Sequence, residues 1–137
     1  MTARLVRADG LYPGAPYAYA ATAPARSLVF TAGACPIDEN GVVTAPGDYA
    51  AQTRQVLANL RTALAAAGAS LGDVLKSTVY VASADRADLR SVWEIVHAEF
   101  GSHDAPSTLL GVAALGYSEQ LVEIEAVAQL AAGPAAR

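Results

Sequence analysis

The stretch from Pro106 to Leu130, PSTLLGVAAL-GYSEQ-LVEIEAVAQL, decides how the rest of the chain is read. Small and apolar residues alternate along both arms, and Gly116-Tyr117-Ser118 supplies turn chemistry between them, so the pattern predicts two strands joined as a hairpin. In the second arm Val122, Ile124, Ala126 and Ala128 share one face, while Leu121, Glu123, Glu125 and Val127 share the other. With the turn centred near Ser118, Ala113 lies opposite Glu123 and Gly111 opposite Glu125, which leaves room beside both acids. Two carboxylates on an otherwise apolar strand must meet water, a partner or a proton, because burying them unpaired is costly. A face that borders a cleft between subunits satisfies this, and a carboxylate there can hold or activate a water as a general base.

Working upstream, the second helix and the strand before it are legible from spacing. Asp85 is followed by a stripe of Leu89, Val92, Trp93, Val96 and Phe100, with Gly101 at its end. Val74 to Val81 reads as a strand with Lys76, Thr78 and Tyr80 on one face and Leu75, Ser77, Val79 and Val81 on the other. The first helix opens at Gly47-Asp48, with Asp48 as N-cap, and runs along Tyr49, Thr53, Val56, Leu57, Leu60, Leu64 and Ala67 to Gly68. Before it lie an Asp38-Glu39-Asn40-Gly41 turn, a strand at Ser27–Ala32, a strand at Tyr17–Thr22 and a short strand at residues 3–8. Residues from Ala131 on are expected to fray.

Strands, helix, strand, helix and two strands make one α+β domain over residues 1–137, a mixed six-stranded sheet with both helices on one face. If the first helix joins parallel neighbours, the connection into Val74–Val81 is right-handed. No helix remains for the other face, and self-association is the economical cover. The composition agrees: 53% of residues are hydrophobic and only 16% charged, a balance that favours an oligomer in a small domain. A net charge of −4 with a single lysine, Lys76, argues against nucleic acid or an anionic membrane as partner. No apolar run is long enough to span a bilayer, and MTARLVRADG has no apolar segment of a secretory signal behind its charges. One cysteine, Cys35, cannot close an intrachain disulfide, which fits a reducing, cytoplasmic setting.

Zinc spacing, a phosphate-binding loop, a dinucleotide fingerprint and a nucleophile elbow are all missing from the sequence; GYSEQ lacks the closing glycine of an elbow. Cys35 is a candidate nucleophile with His97 or His103, but one cysteine in an apolar neighbourhood reads as a small packing residue; His97 reads as a solvated helix residue, and His103 as either a ligand or a turn residue in its loop. Tyr17 and Tyr19 read as sheet aromatics. Glu123 and Glu125 are the residues that a purely structural reading explains least well.

Four stretches together resemble the Rid family, also called YjgF, the reactive intermediate deaminases: Gly14-Ala15-Pro16-Tyr17; LVFTAGACP from Leu28 to Pro36; AAQTRQVLANLRTALAAAGASLGDVLKSTVYV from Ala50 to Val81; and STLLGVAAL with LVEIEAVA. The resemblance spans nearly the whole chain and implies a chorismate-mutase-like fold and a homotrimer with three interface clefts. For deaminating members it implies hydrolysis of 2-imino or 2-enamino acids to 2-oxo acids and ammonia, with no metal or organic cofactor. The family's cleft tyrosine matches Tyr17, and the acid that positions water, first in E-I-E-A, matches Glu123. The serine of its V-S-G-Q-I-P stretch falls on Ala32, next to Gly33. Its substrate-anchoring arginine falls on Ser107, and the cysteine some members carry two residues later falls on Leu109. No arginine lies between Gly101 and Ala136 to take its place. Losing one partner of a desolvated charge pair costs ~2–5 kcal/mol, and serine cannot fork onto a carboxylate as guanidinium does. The resemblance therefore implies a deaminase-type hydrolase for a small molecule other than a simple imino acid, with Ser107, Ala32, Gly33 and Leu109 lining a more apolar pocket. The rival is a trimer of the same fold that binds or senses a small molecule without turning it over. A ribonuclease role, attached to some relatives, meets an acidic chain without a basic footprint.

Overall fold

The computed structural model describes residues 4–23 and 27–130. Six strands and two helices follow in order: β1 Arg4–Val6, β2 Ala20–Thr22, β3 Leu28–Phe30, α1 Tyr49–Ala66, β4 Val74–Val81, α2 Arg86–Phe100, β5 Ser107–Gly111 and β6 Val122–Gln129. The α+β expectation holds, with α1 and α2 packed on one face of a mixed sheet. The six strands do not form one sheet, however. Among the described residues they divide into a four-stranded sheet, ordered β3-β6-β4-β5, and a separate antiparallel ribbon of β1 and β2.

Both helices start as their sequences dictate. Asp48 accepts from the Ala51 amide and Asp85 from the Ala87 amide, satisfying donors that the first turn leaves open. Gly68, at φ +89°, follows α1 in a left-handed conformation that a residue with a Cβ adopts at a cost. Val56, Leu57, Leu60 and Leu64 of α1 and Val92 and Val96 of α2 pack on Val79, Val81, Val122, Ile124 and Ala126. Each large side chain so buried contributes about 1.5–3 kcal/mol, which makes this layer the main source of stability. The opposite face carries Lys76, Thr78 and Tyr80 of β4 with Glu123, Glu125 and Val127 of β6, and no helix among the described residues covers it.

Strand pairing corrects the expected hairpin. β5 and β6 are not neighbours; β4 lies between them, parallel to β5 and antiparallel to β6. Glu123 therefore faces Tyr80 and Glu125 faces Thr78, in place of Ala113 and Gly111. The reason is geometric. The crossover through α2 returns β5 parallel to β4, and the ten residues between β5 and β6 are long enough to carry the chain across β4. Local alternation and turn residues are the same in either arrangement. The Tyr17–Thr22 strand is also shorter than expected. Arg7 Nη1 donates to the carbonyls of Ala15 and Tyr17 at 2.7 and 2.6 Å, and the Ala18 amide donates to Asp104 O, so those groups are lost to a ladder. Tyr17 and Tyr19 meet edge to face, with ring centroids 5.7 Å apart. β3 and β4 run parallel with β6 between them, so α1 does not join adjacent strands. The expected fraying from Ala131 falls outside the described residues.

Candidate active site

The sequence-predicted residues fall into two groups. The first surrounds Glu123. β3 ends at Phe30, paired with Val127, yet Ala34 bridges to Ile124, so four residues advance on one side against three on the other. That extra residue is a bulge at the Thr31–Gly33 corner, which throws the backbone of Gly33 toward the sheet's uncovered face. A Cβ on residue 33 would sit 2.6 Å from Glu123 Cδ and 2.9 Å from Cγ, and closer still to Oε2, so only glycine leaves the carboxylate where it is. Ala32 is exposed beside it.

The carboxylate is held at one oxygen. Glu123 Oε1 accepts from Gln120 Nε2 at 3.0 Å and from Cys35 Sγ at 3.2 Å. Cys35 is thus more than the packing residue expected. Burial, with the hydrogen bond to Glu123 and then its charge adding to the effect, pushes the thiol up to about 11, so it stays protonated and donating at neutral pH. Tyr80, across from Glu123 on β4, has its phenol pushed above the usual range by burial and by the carboxylate of Glu125, with Glu123 adding to it.

The second group lies at the free edge of β5. Tyr17, Trp93, Ser107, Thr108 and Leu109 line an open depression. Ser107 pairs in register with Ser77, and their hydroxyls share a short hydrogen bond on the helix-facing side. His97, read as solvated, is half-buried, stacked on Trp93 with ring centroids 5.9 Å apart and bonded through Nε2 to Asp104 Oδ1 at 3.2 Å. His103 Nε2 contacts Val74 O at 2.8 Å, which ties its loop to the start of β4. Among the described residues, the arginine that comes near is Arg7. Its charge is matched by Asp104 Oδ2 at 2.6 Å while it holds the Tyr17 loop, so it is committed to structure.

Within one chain these groups do not meet. Alternation places Ser107 and Leu109 with Ser77 and Val79 on the helix side of the sheet, whereas Glu123 stands on the uncovered side with β4 between.

The sequence profile of the family described as Endoribonuclease L-PSP matches residues 8–130. The chain belongs to the Rid family. It is 39% identical over 110 residues to the RutC family protein PH0854 of Pyrococcus horikoshii, covering 80% of this chain and 85% of that one. It is 36% identical over 118 residues to the 3-aminoacrylate deaminase RutC of Acinetobacter baylyi, covering 86% and 90%. Among solved structures it resembles YyfB of Yersinia pestis, a Rid protein of unknown function, at 34% identity with a TM-score of 0.88 over 95% of this chain and all of that one. The last of these likenesses covers the whole α+β fold, two helices on a mixed sheet.

Sequence reasoning gave Cys35, Gln120, Gln52 and Asn59 no part in the surroundings of Glu123. Gln52 is fully buried on α1, donates to Glu119 O and Ala45 O, and accepts from the Leu121 amide at 2.8 Å. Asn59 Nδ2 donates to Cys35 O and Ile37 O at 2.8 and 2.9 Å. The available signal was an amide pair seven residues apart, two helical turns, bordering the apolar stripe of α1.

Proposed function

We propose that this Rid protein is a trimer that hydrolyses an enamine or imine whose reactive carbon lies next to a neutral group rather than a carboxylate. Glu123 Oε2 holds a water and takes one of its protons as the oxygen adds to the C=N carbon. Glu123 passes that proton to the nitrogen, giving a neutral carbinolamine, which then collapses: Glu123 takes the hydroxyl proton and hands it to the nitrogen as the C–N bond breaks, so that ammonia leaves, a carbonyl remains and the carboxylate is regenerated. Tyr17 contacts the substrate, Ser107 gives it one neutral hydrogen bond, and Leu109, Ala32 and Gly33 shape the pocket. The observation that carries this reading is a half-buried carboxylate with one oxygen saturated by two donors, set over a bare glycine backbone on an uncovered sheet face. The two residue groups become one pocket when the β5 edge of a second copy meets the Glu123 face of the first. Phe30 and Leu110, 72% and 41% exposed on that face, support its being covered in an assembly. The likeness to a 3-aminoacrylate deaminase supports the reaction class; the serine at position 107 supports a substrate without that carboxylate.

The test is ammonia release from freshly generated imines, neutral and carboxylated, by the wild type and Glu123→Gln. The neutral imine should turn over faster than in buffer, and Glu123→Gln should lower the rate by about 10²–10⁴-fold while ligand affinity changes little. Ammonia release no faster than buffer for every imine would refute hydrolysis. Tight binding of a neutral compound without turnover would favour a sensing trimer, the reading that the missing cation also fits.

A further inference from the structure

The carboxylate of Glu123 is gripped from two sides by segments that α1 itself holds. On one side, Gln120 is buried and reaches Oε1 at 3.0 Å while it also donates to Val122 O and accepts from the Tyr117 amide. Its place depends on Glu119, which stands at φ +65°, a left-handed conformation uncommon for a residue with a side chain. The Gln52 amide bonds the loop on both flanks of Gln120, at Glu119 O and at the Leu121 amide, and so holds that turn. On the other side, Cys35 Sγ reaches the same Oε1 at 3.2 Å, nearer than its other acceptor, Gly33 O at 3.4 Å, and Asn59 pins its segment through Cys35 O and Ile37 O. Gln52 and Asn59 lie two turns apart on one helix, so the distance between the two donors is set by a rigid element.

We infer that Cys35 and Gln120 are positioning residues that together saturate Oε1, fix the rotation of the Glu123 carboxylate and leave Oε2 as the oxygen that takes the water. This rests on reading Glu123 as the water-holding acid. A carboxylate otherwise rotates about its last bond and can offer either oxygen. Two donors converging on one oxygen, with the Gly33 backbone beneath the other, remove that freedom before substrate arrives, which is the form of preorganisation that lowers a barrier. The thiol suits the task because it is neutral: a lysine would bind the carboxylate as an ion pair and weaken it as a base.

The experiment uses the full chain with Cys35→Ala, Cys35→Ser, Gln120→Leu and Glu123→Gln, and two readouts. In imine hydrolysis, Cys35→Ala should lower kcat about fivefold to tenfold with KM within about twofold, as expected for one hydrogen bond from a weak S–H donor. Cys35→Ser should restore most of it, since a hydroxyl donates as the thiol does; a structural role filled by side-chain size would instead be met by alanine as well as by serine. Gln120→Leu should lower kcat further than Cys35→Ala. The second readout needs no turnover. The chain has one cysteine, so the pH dependence of thiol alkylation by iodoacetamide, read by mass, titrates Cys35 alone, and Glu123→Gln should move that titration below the wild-type value. Wild-type kcat in Cys35→Ala, or a thiol titration indifferent to Glu123→Gln, overturns the inference. If the wild type hydrolyses no imine, the functional reading fails, while the thiol titration still decides whether Cys35 grips Glu123.

Discussion

The Gly33→Ala substitution is the sharpest test of how the surroundings of Glu123 are built. The added Cβ would stand 2.6 Å from Glu123 Cδ and 2.9 Å from Cγ, whereas carbon atoms rest at about 3.5–4.0 Å. The carboxylate must retreat by about 1 Å. Its bonds from Gln120 and Cys35, at 3.0 and 3.2 Å, would then stretch beyond hydrogen-bonding range or swing to the other oxygen. A displacement of about 1 Å at a reacting group costs on the order of 10²-fold in rate. Stability should respond much less. Losing the two bonds costs roughly 1–2 kcal/mol at this half-exposed site, because water replaces part of them. Alanine returns about 0.4–1 kcal/mol through the unfolded chain, since Gly33 lies outside the left-handed region. The melting temperature should therefore fall by no more than about 5 °C. Ammonia release from a neutral imine gives the rate, thermal denaturation the stability, and the pH dependence of Cys35 alkylation should show a thiol easier to ionise than in the wild type. Wild-type turnover with an unchanged thiol titration would refute the contact between Gly33 and Glu123 and with it the assignment of Oε2.

Three further outcomes follow from the same coordinates. Ser107→Arg should confer hydrolysis of carboxylated imino acids by at least about 30-fold over the wild type, read as ammonia release; no gain would mean that position 107 does not face the substrate. Gln52→Leu leaves the Ala45 and Glu119 carbonyls and the Leu121 amide without their side-chain partner. It should cost about 3 kcal/mol, seen in chemical denaturation, with Gln52→Glu losing the two donated bonds as well. The Cys35 thiol, raised from its ordinary value of 9.0 to about 11, binds its proton more tightly folded than unfolded. Its contribution is complete below about pH 9 and is lost as pH rises toward 11. Solvent screening of this half-exposed thiol holds the loss to about 1 kcal/mol, and Cys35→Ser should flatten that part of the denaturation profile.

Periodicity alone placed β4, α1 and α2, because a buried face repeats every second residue in a strand and every three to four in a helix, and Asp48, Asp85 and Gly68 mark ends by local chemistry. The same local information located Glu123 as an acid out of keeping with its strand. It could not choose the partner of that strand: alternation and a Gly-Tyr-Ser turn are equally consistent with a hairpin, and only the crossover through α2 and the placement of β4 put Tyr80 opposite Glu123. Nor could it assign Cys35, whose character as a donor comes from a bulge at Thr31–Gly33 and from Asn59, twenty-four residues along the chain. The identities of the side chains were fixed by sequence. Which of them converge on one carboxylate oxygen was decided by tertiary structure, because hydrogen bonds between distant segments depend on how a helix and two loops pack, and that packing leaves no periodic trace in the chain.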